Sequence, residues 1–144
     1  MDLAAAAGAF RDMAARAESE LAMVACREAA NDYLAILRIV TPKRTGALME
    51  SERIDALTGG GTRATAVVAP HKVYAAIVND GGRVTRHLPR PHVLGGYGGP
   101  YFGHGNPATV TIKARNYMER AQGAAQGPVA EACLRACDEF FTLP

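Results

Sequence analysis

The chain has 144 residues, 49% apolar and 21% charged, with a formal net charge of +2. That length suits one domain that buries its own core without metal or disulfide. The balance excludes the disordered class of low hydrophobicity and high net charge, and it is too near neutral for a general nucleic-acid binder held by many phosphate contacts.

Residues 3–38 read as helix. Phe10, Met13, Ala17, Leu21, Val24, Leu34 and Leu37 recur at helical period, and alanine, the best helix former, fills many other positions. Unbroken, such a helix spans about 54 Å at 1.5 Å per residue; Gly8 and Asn31-Asp32 are its candidate breaks. It should stop near Val40, because Pro42 disfavours helical geometry at Thr41. In 41–51, a turn and a short apolar-polar stretch, Thr45 is placed to cap a brief helix beginning at Gly46. Segments 52–57 and 63–69 read as a hairpin around Gly59-Gly60-Gly61, with a turn longer than two residues. Segment 72–80 fits a short helix closed by Gly81 better than a buried strand.

Residues 81–107 then form a long loop rich in Gly, Pro, His and Arg, of a length that usually carries function or is disordered. The alternating, β-branched 108–112 reads as a strand, and 114–142 as helix interrupted at Gly127-Pro128, with Pro128 opening a second helix. Val129, Cys133, Cys137 and Phe140 or Phe141 share a face of that last helix. The expected fold class is α+β: a small antiparallel sheet packed with a long N-terminal helix and C-terminal helices. Residues 1–144 are expected to form one domain.

Candidate chemistry is sparse. Cys133 and Cys137 lie four apart on one helical face, but two thiols need further metal ligands; with Cys26 they read as small buried hydrophobes. The odd cysteine count suits reduced thiols. No run is long enough for a membrane span, and the start Met1-Asp2-Leu3 lacks signal-peptide character, so the chain is expected to assemble in a cytoplasm. His87, His92 and His104 sit among glycines and prolines, not as a tight pair on a helix. His71, after Pro70, carries no signal. The glycine run 95–105 has neither the Gly-Lys-Ser/Thr of a phosphate loop nor the strand context of a dinucleotide fingerprint. Its Tyr97, Tyr101 and Phe102 suit an adaptable contact surface. Neither serine, Ser19 or Ser51, stands in a nucleophile elbow. The carboxylates are scattered, mainly on helices whose solvated faces explain them. No catalytic residue, cofactor or metal site is expected.

The charge distribution says more. Gly81 to Met118 holds no Asp or Glu but contains Arg83, Arg86, Arg90, Lys113 and Arg115, a local charge of +5. Such a segment either touches a phosphate backbone or an acidic protein surface, or is simply a solvated loop.

Three segments carry a resemblance: Thr41-Pro42-Lys43-Arg44-Thr45-Gly46-Ala47-Leu48 through Ser51, then Val73-Tyr74-Ala75-Ala76-Ile77-Val78-Asn79-Asp80-Gly81, then Ala114-Arg115-Asn116-Tyr117-Met118-Glu119-Arg120-Ala121. In order and spacing, over about residues 10–140, they resemble the tail-completion or head–tail joining (neck) proteins of long-tailed phages. The sequence departs from that pattern in three places. Residues 83–107 look like an insertion, Asn79-Asp80 replaces a Glu and an aromatic, and Asn116 stands where the family often has Pro.

The resemblance implies a non-enzymatic virion protein forming a closed ring of six between head connector and tail tube, around the DNA path. Its partners would be its own copies, the adjacent connector and the tail-tube or terminator proteins, with non-specific contact to packaged DNA and no membrane. Under this reading Tyr74, Arg115 and Tyr117, with Tyr97, Tyr101 and Phe102, face a neighbouring subunit or ring, and Arg83, Arg86 and Arg90 face the DNA lumen or a partner. Gly46 and Gly81 read as folding residues. The rivals are a tail terminator capping the tube, a small DNA-binding module using the basic region, and a zinc enzyme built on the histidines.

Overall fold

A computed structural model describes residues 3–43, 46–86 and 108–142. The N-terminal region is helical from Leu3 to Val40: α1 (Leu3–Arg16), a π-helical turn (Ala17–Leu21) and α2 (Ala22–Val40). Neither Gly8 nor Asn31-Asp32 breaks it. The irregularity falls where the Ser19 hydroxyl lies within donating distance of the carbonyls of both Ala15 (3.1 Å) and Arg16 (3.2 Å), side-chain competition that loosens and bends helices. Thr41 turns extended, with ψ of 134°, as Pro42 requires of the residue before it.

Next comes a one-turn helix, α3 (Ala47–Glu50). Its cap is Gly46, with φ of 76° and no side-chain cap bond, a conformation open to glycine; Thr45 lies outside the described residues. Strands β1 (Glu52–Gly60) and β2 (Arg63–Pro70) pair antiparallel, with Gly60 opposite Arg63. The ladder therefore runs through the first two glycines, and the turn is the two-residue Gly61-Thr62 rather than the longer one expected. A bulge between Ile54 and Ala56 sets Asp55 outside the regular register.

Helix α4 (Ala75–Asp80) closes at Gly81 as expected, with φ of 76° but an extended ψ of −179°. A Cβ on Gly81 would stand 2.7 Å from the amide nitrogen of Ala114, so the close approach of these two segments also demands glycine. The next residues do not enter a loop directly. Gly82–Arg86 forms β3, antiparallel to β4 (Ala108–Ile112). Residues 87–107, with Arg90, Tyr97, Tyr101, Phe102 and three of the histidines, lie outside the described residues. The expected single sheet is two separate two-stranded ladders.

Helix α5 runs unbroken from Tyr117 to Thr142 through Pro128. Proline inside a helix costs about 3 kcal/mol, and tertiary packing overrides it here. Gly127 and Pro128 face solvent, while Tyr117, Ala121, Ala125, Ala132, Ala136 and Phe140 form a buried stripe at i, i+4 and i+7 on both sides of the proline. The small side chains of the four alanines let α5 lie close along α2. The two run antiparallel: Leu37 shares a core with Ala121, Cys133 meets the carbonyl of Ala25 at 3.9 Å, and Arg16 stacks on Phe140 at 5.4 Å. The fold is thus α+β, helical rods with two small ladders attached. No described helix is long and apolar enough to cross a membrane.

Candidate functional site

The three motif segments meet at one end of the α2–α5 pair. Leu48 from the first, Ala75 from the second, and Tyr117 and Ala121 from the third join Leu37 in one buried cluster, flanked by Tyr33, Val40, Val68, Val78 and Met118. Asn79 ties the second motif to the third. Its backbone carbonyl accepts from the amides of Arg115 (3.0 Å) and Asn116 (2.9 Å), and its Oδ1 accepts from the amide of Met118 (3.0 Å). Its Nδ2 donates to Asp80 (2.6 Å) and Glu119 (3.1 Å). An amide side chain from α4 thereby caps the exposed N–H groups that begin α5.

Asn116 is the only described non-glycine residue with positive φ, at 47°, and its carbonyl accepts the amide of Arg120 at 3.1 Å, opening the helix. Proline, fixed near −65°, cannot occupy that conformation. Asn79 and Asn116 thus serve a single junction.

Beneath the junction lies a buried polar group that sequence reasoning missed. Glu52 is 0% exposed, although solvated helix faces are where scattered carboxylates are expected. The reason is alternation: Glu52 precedes Ile54 and Ala56 on the inward face of β1, and that period is legible in the sequence. The Thr41 hydroxyl reaches both the carbonyl of Leu37 (2.8 Å) and Oε1 of Glu52 (2.5 Å). It owns one proton and can donate to only one of them at a time. A proton on the carboxyl lets both bonds form together. Burial pushes the Glu52 pKa up, against the opposing pull of the Thr41 bond and the Arg38 charge.

Tyr117, also 0% exposed, has its hydroxyl buried without a hydrogen-bond partner, as is Oε2 of Glu52. Burial, then the negative charges of Glu52, Asp80 and Glu119, push the Tyr117 pKa to about 12. Tyr117 is therefore corrected from a subunit contact to a core residue: its side chain packs in the cluster with Leu37, Leu48 and Ala75, and no part of it reaches the surface.

The other predicted contacts divide. Tyr74, at the N-cap of α4, is 41% exposed. The Arg115 side chain is exposed beside the junction, and Arg83 is exposed on β3. Arg86 ends that strand. In the β3–β4 ladder Arg83 stands opposite Thr111 and Thr85 opposite Thr109. Directly paired residues project to one face, so these four exposed residues make a polar, acid-free surface, while the partly buried Val84 and Ile112 occupy the other face.

His71 acquires partners: Asp55 at 2.5 Å from Nε2, Arg53 at 3.4 Å from Nδ1. Hydrogen bonds from His71 and Arg53 outweigh desolvation and lower the Asp55 pKa. Both ring nitrogens are occupied by these surface contacts, and the Ser51 hydroxyl donates to the carbonyl of Leu48 at 2.6 Å, so His71, Asp55 and Ser51 do not form a base–nucleophile relay. The bulge that presents Asp55 to His71 has no single-residue signature in the sequence.

The cysteines are partly buried between α2 and α5, and burial, then the neighbouring Cys133, pushes the Cys26 thiol pKa up. That favours the inert thiol over the thiolate. Beside Cys26, an open apolar groove of about 480 Å³ runs between α2, β2 and α5, lined by Ala29, Ala30, Tyr33, Val67, Val68 and Val129. Among the described residues no group of His, Cys, Asp and Glu is placed to hold a metal. Comparison of the chain with protein-family models, with curated proteins and with solved structures returned no match.

Proposed function

We propose that this chain is a structural subunit of a phage-type neck, forming a ring that joins the tail to the head around the DNA path. The observation that carries this reading is the junction: the three segments that bear the resemblance, separated by tens of residues, supply the buried cluster of Leu48, Ala75, Tyr117 and Ala121 and the Asn79 cap. Motifs that build one nucleus are what a shared fold demands of its members, because each needs the others to bury its apolar side chains.

In this reading activity resides in shape and surface. The exposed Tyr74 and Arg115 meet a neighbouring subunit, and the basic segment from Arg83 through Arg86 and Arg90 meets DNA or a partner protein. The acid-free face of the β3–β4 ladder favours one second reading, a DNA-binding module, which predicts duplex binding by the isolated chain that falls steeply with salt.

Native mass spectrometry of the chain alone and mixed with tail tubes separates these. A hexamer, or a ring that forms on the tube end, supports the neck assignment; a monomer that ignores tubes and binds duplex supports the module. Within the neck reading, replacing Arg83, Arg86 and Arg90 together by Ala is expected to block head–tail joining, and normal joining would refute that role.

A further inference from the structure

We propose that the polar face of the β3–β4 ladder docks against the far end of α5 in a second copy of this chain, a head-to-tail contact. The inference rests on the ring reading and names the surfaces that would close it. On the ladder, Arg83, Thr85, Thr109 and Thr111 share one exposed face, and Lys113 and Arg115 continue from it, also exposed. No acid occurs from Gly81 to Met118, and among the described residues none of these cations forms an ion pair. The face is therefore a polar sheet surface, basic at Arg83 and along Lys113 and Arg115, whose cations have no ion-pair partner among the described residues of their own chain.

The complementary surface lies at the opposite end of the same molecule. The last turn of α5 carries no basic residue and exposes Asp138 and Glu139. The stacking of Arg16 on Phe140 brings the π-helical turn beside it, with Glu18 and Glu20 exposed. These four carboxylates also lack ion-pair partners among the described residues. Two cations near them are already engaged, Arg16 on the Phe140 ring and Arg135 with Asp32 at 2.8 Å. The carbonyl end of the helix adds roughly half a negative charge. Phe141, half exposed and edge-on to Phe140 with ring centroids 5.6 Å apart, gives this end an apolar anchor.

Geometry forbids the chain from satisfying itself. The 26 residues of α5 span about 39 Å, with Arg115 just before the first turn and Asp138 and Glu139 close to the last, so these charges stand apart by several times the Debye length of about 8 Å at physiological salt. A contact between two different surfaces on identical copies is heterologous, and it closes into a ring when the rotation per copy permits. The charge balance also favours a protein partner over nucleic acid. Outside Gly81–Met118, eleven of the sixteen basic residues stand against all fourteen acids, a formal net of −3, so the rest of the chain adds no basic excess for phosphate while the acidic end attracts the ladder of another copy.

The test is sedimentation equilibrium of the full chain at low and high salt with two charge-reversal variants. One carries Arg83→Glu, Lys113→Glu and Arg115→Glu; the other carries Glu18→Lys, Glu20→Lys, Asp138→Lys and Glu139→Lys. Circular dichroism checks that each is folded. The wild-type chain is expected to associate at low salt and to dissociate as salt rises. Each variant alone is expected to lose association, and their equimolar mixture to regain it, because every reversed face then meets an opposite one. Rescue on mixing cannot come from a misfolded variant.

Variants that associate like the wild type overturn the contact while leaving the ring intact. So does a mixture that stays monomeric. A wild-type chain that remains monomeric at low salt overturns it too, and leaves the ring reading to assembly on tail tubes. Loss of duplex binding in the first variant, with association unchanged, would assign the face to nucleic acid instead.

Discussion

Arg115 and Tyr117 stand two residues apart and live in different physical worlds. Tyr117 is sealed in the core cluster with its hydroxyl enclosed, whereas the Arg115 side chain stands in solvent with no ion pair among the described residues. The same division separates the motif junction from the β3–β4 arm. At the junction Asn79 alone engages Arg115, Asn116, Met118, Asp80 and Glu119. On the arm, cations and threonines face outward over a two-stranded ladder, a unit marginal by itself. The first region commits its side chains to folding; the second leaves them exposed. A sequence motif is therefore no guide to what is surface and what is core, since the third motif contains both residues.

This contrast predicts that junction variants change stability and arm variants change assembly. The largest effect is expected from Tyr117→Ala, which empties a fully buried aromatic site and should cost about 3–5 kcal/mol in chemical denaturation; a loss below about 1 kcal/mol would place the core elsewhere. Asn79→Ala should cost about 1–3 kcal/mol, because the Met118 amide loses its acceptor and the Glu119 carboxylate its donor. Asn116→Pro should also destabilise, since its φ of 47° is closed to proline, while Asn116→Gly should be tolerated.

Next comes a pH dependence. The Glu52 pKa is raised in the folded chain, so its contribution to stability is complete below the ordinary value of 4.5 and declines as pH rises through the folded value. Glu52→Gln imitates the protonated form and should flatten that decline in Tm measured against pH; a decline that persists unchanged would assign it to another group. At the alkaline end the Tyr117 contribution declines from pH 10 toward about 12, and Tyr117→Phe should remove that second slope.

The smallest stability effect is expected from Arg83→Ala combined with Arg115→Ala, within about 0.5 kcal/mol as for exposed sites generally. The pair should nevertheless weaken self-association, and an arm variant that unfolds the chain would erase the contrast.

Much of the secondary structure is legible in the residues. Alanine-rich periodicity marks the long first helix, Pro42 its end, and β-branched alternation marks β2 and β4. The failures share a cause. Glycine propensity makes Gly59 and Gly60 a turn, but the pairing of Gly60 with Arg63 extends the ladder through them. Gly127-Pro128 reads as a break, but the buried alanines on either side hold α5 together. Gly82–Arg86 reads as loop, and only its partner 108–112, beyond an intervening stretch of more than twenty residues, makes it a strand. In each case local propensity is outweighed by contacts that propensity does not contain.

Of the candidate site, the acid-free charge of the arm can be counted from residue types alone, and so can the order of the three motifs. By itself the sequence determined the features set by neighbours in the chain: helical period, proline stops, strand alternation and the segregation of charge. Tertiary structure alone decided that Tyr117 is core and Arg115 surface, that Glu52 is buried against Thr41, and that the basic and acidic surfaces lie at opposite ends of one helix. Burial and charge separation depend on which distant segments pack together, and that is a property of the folded chain as a whole.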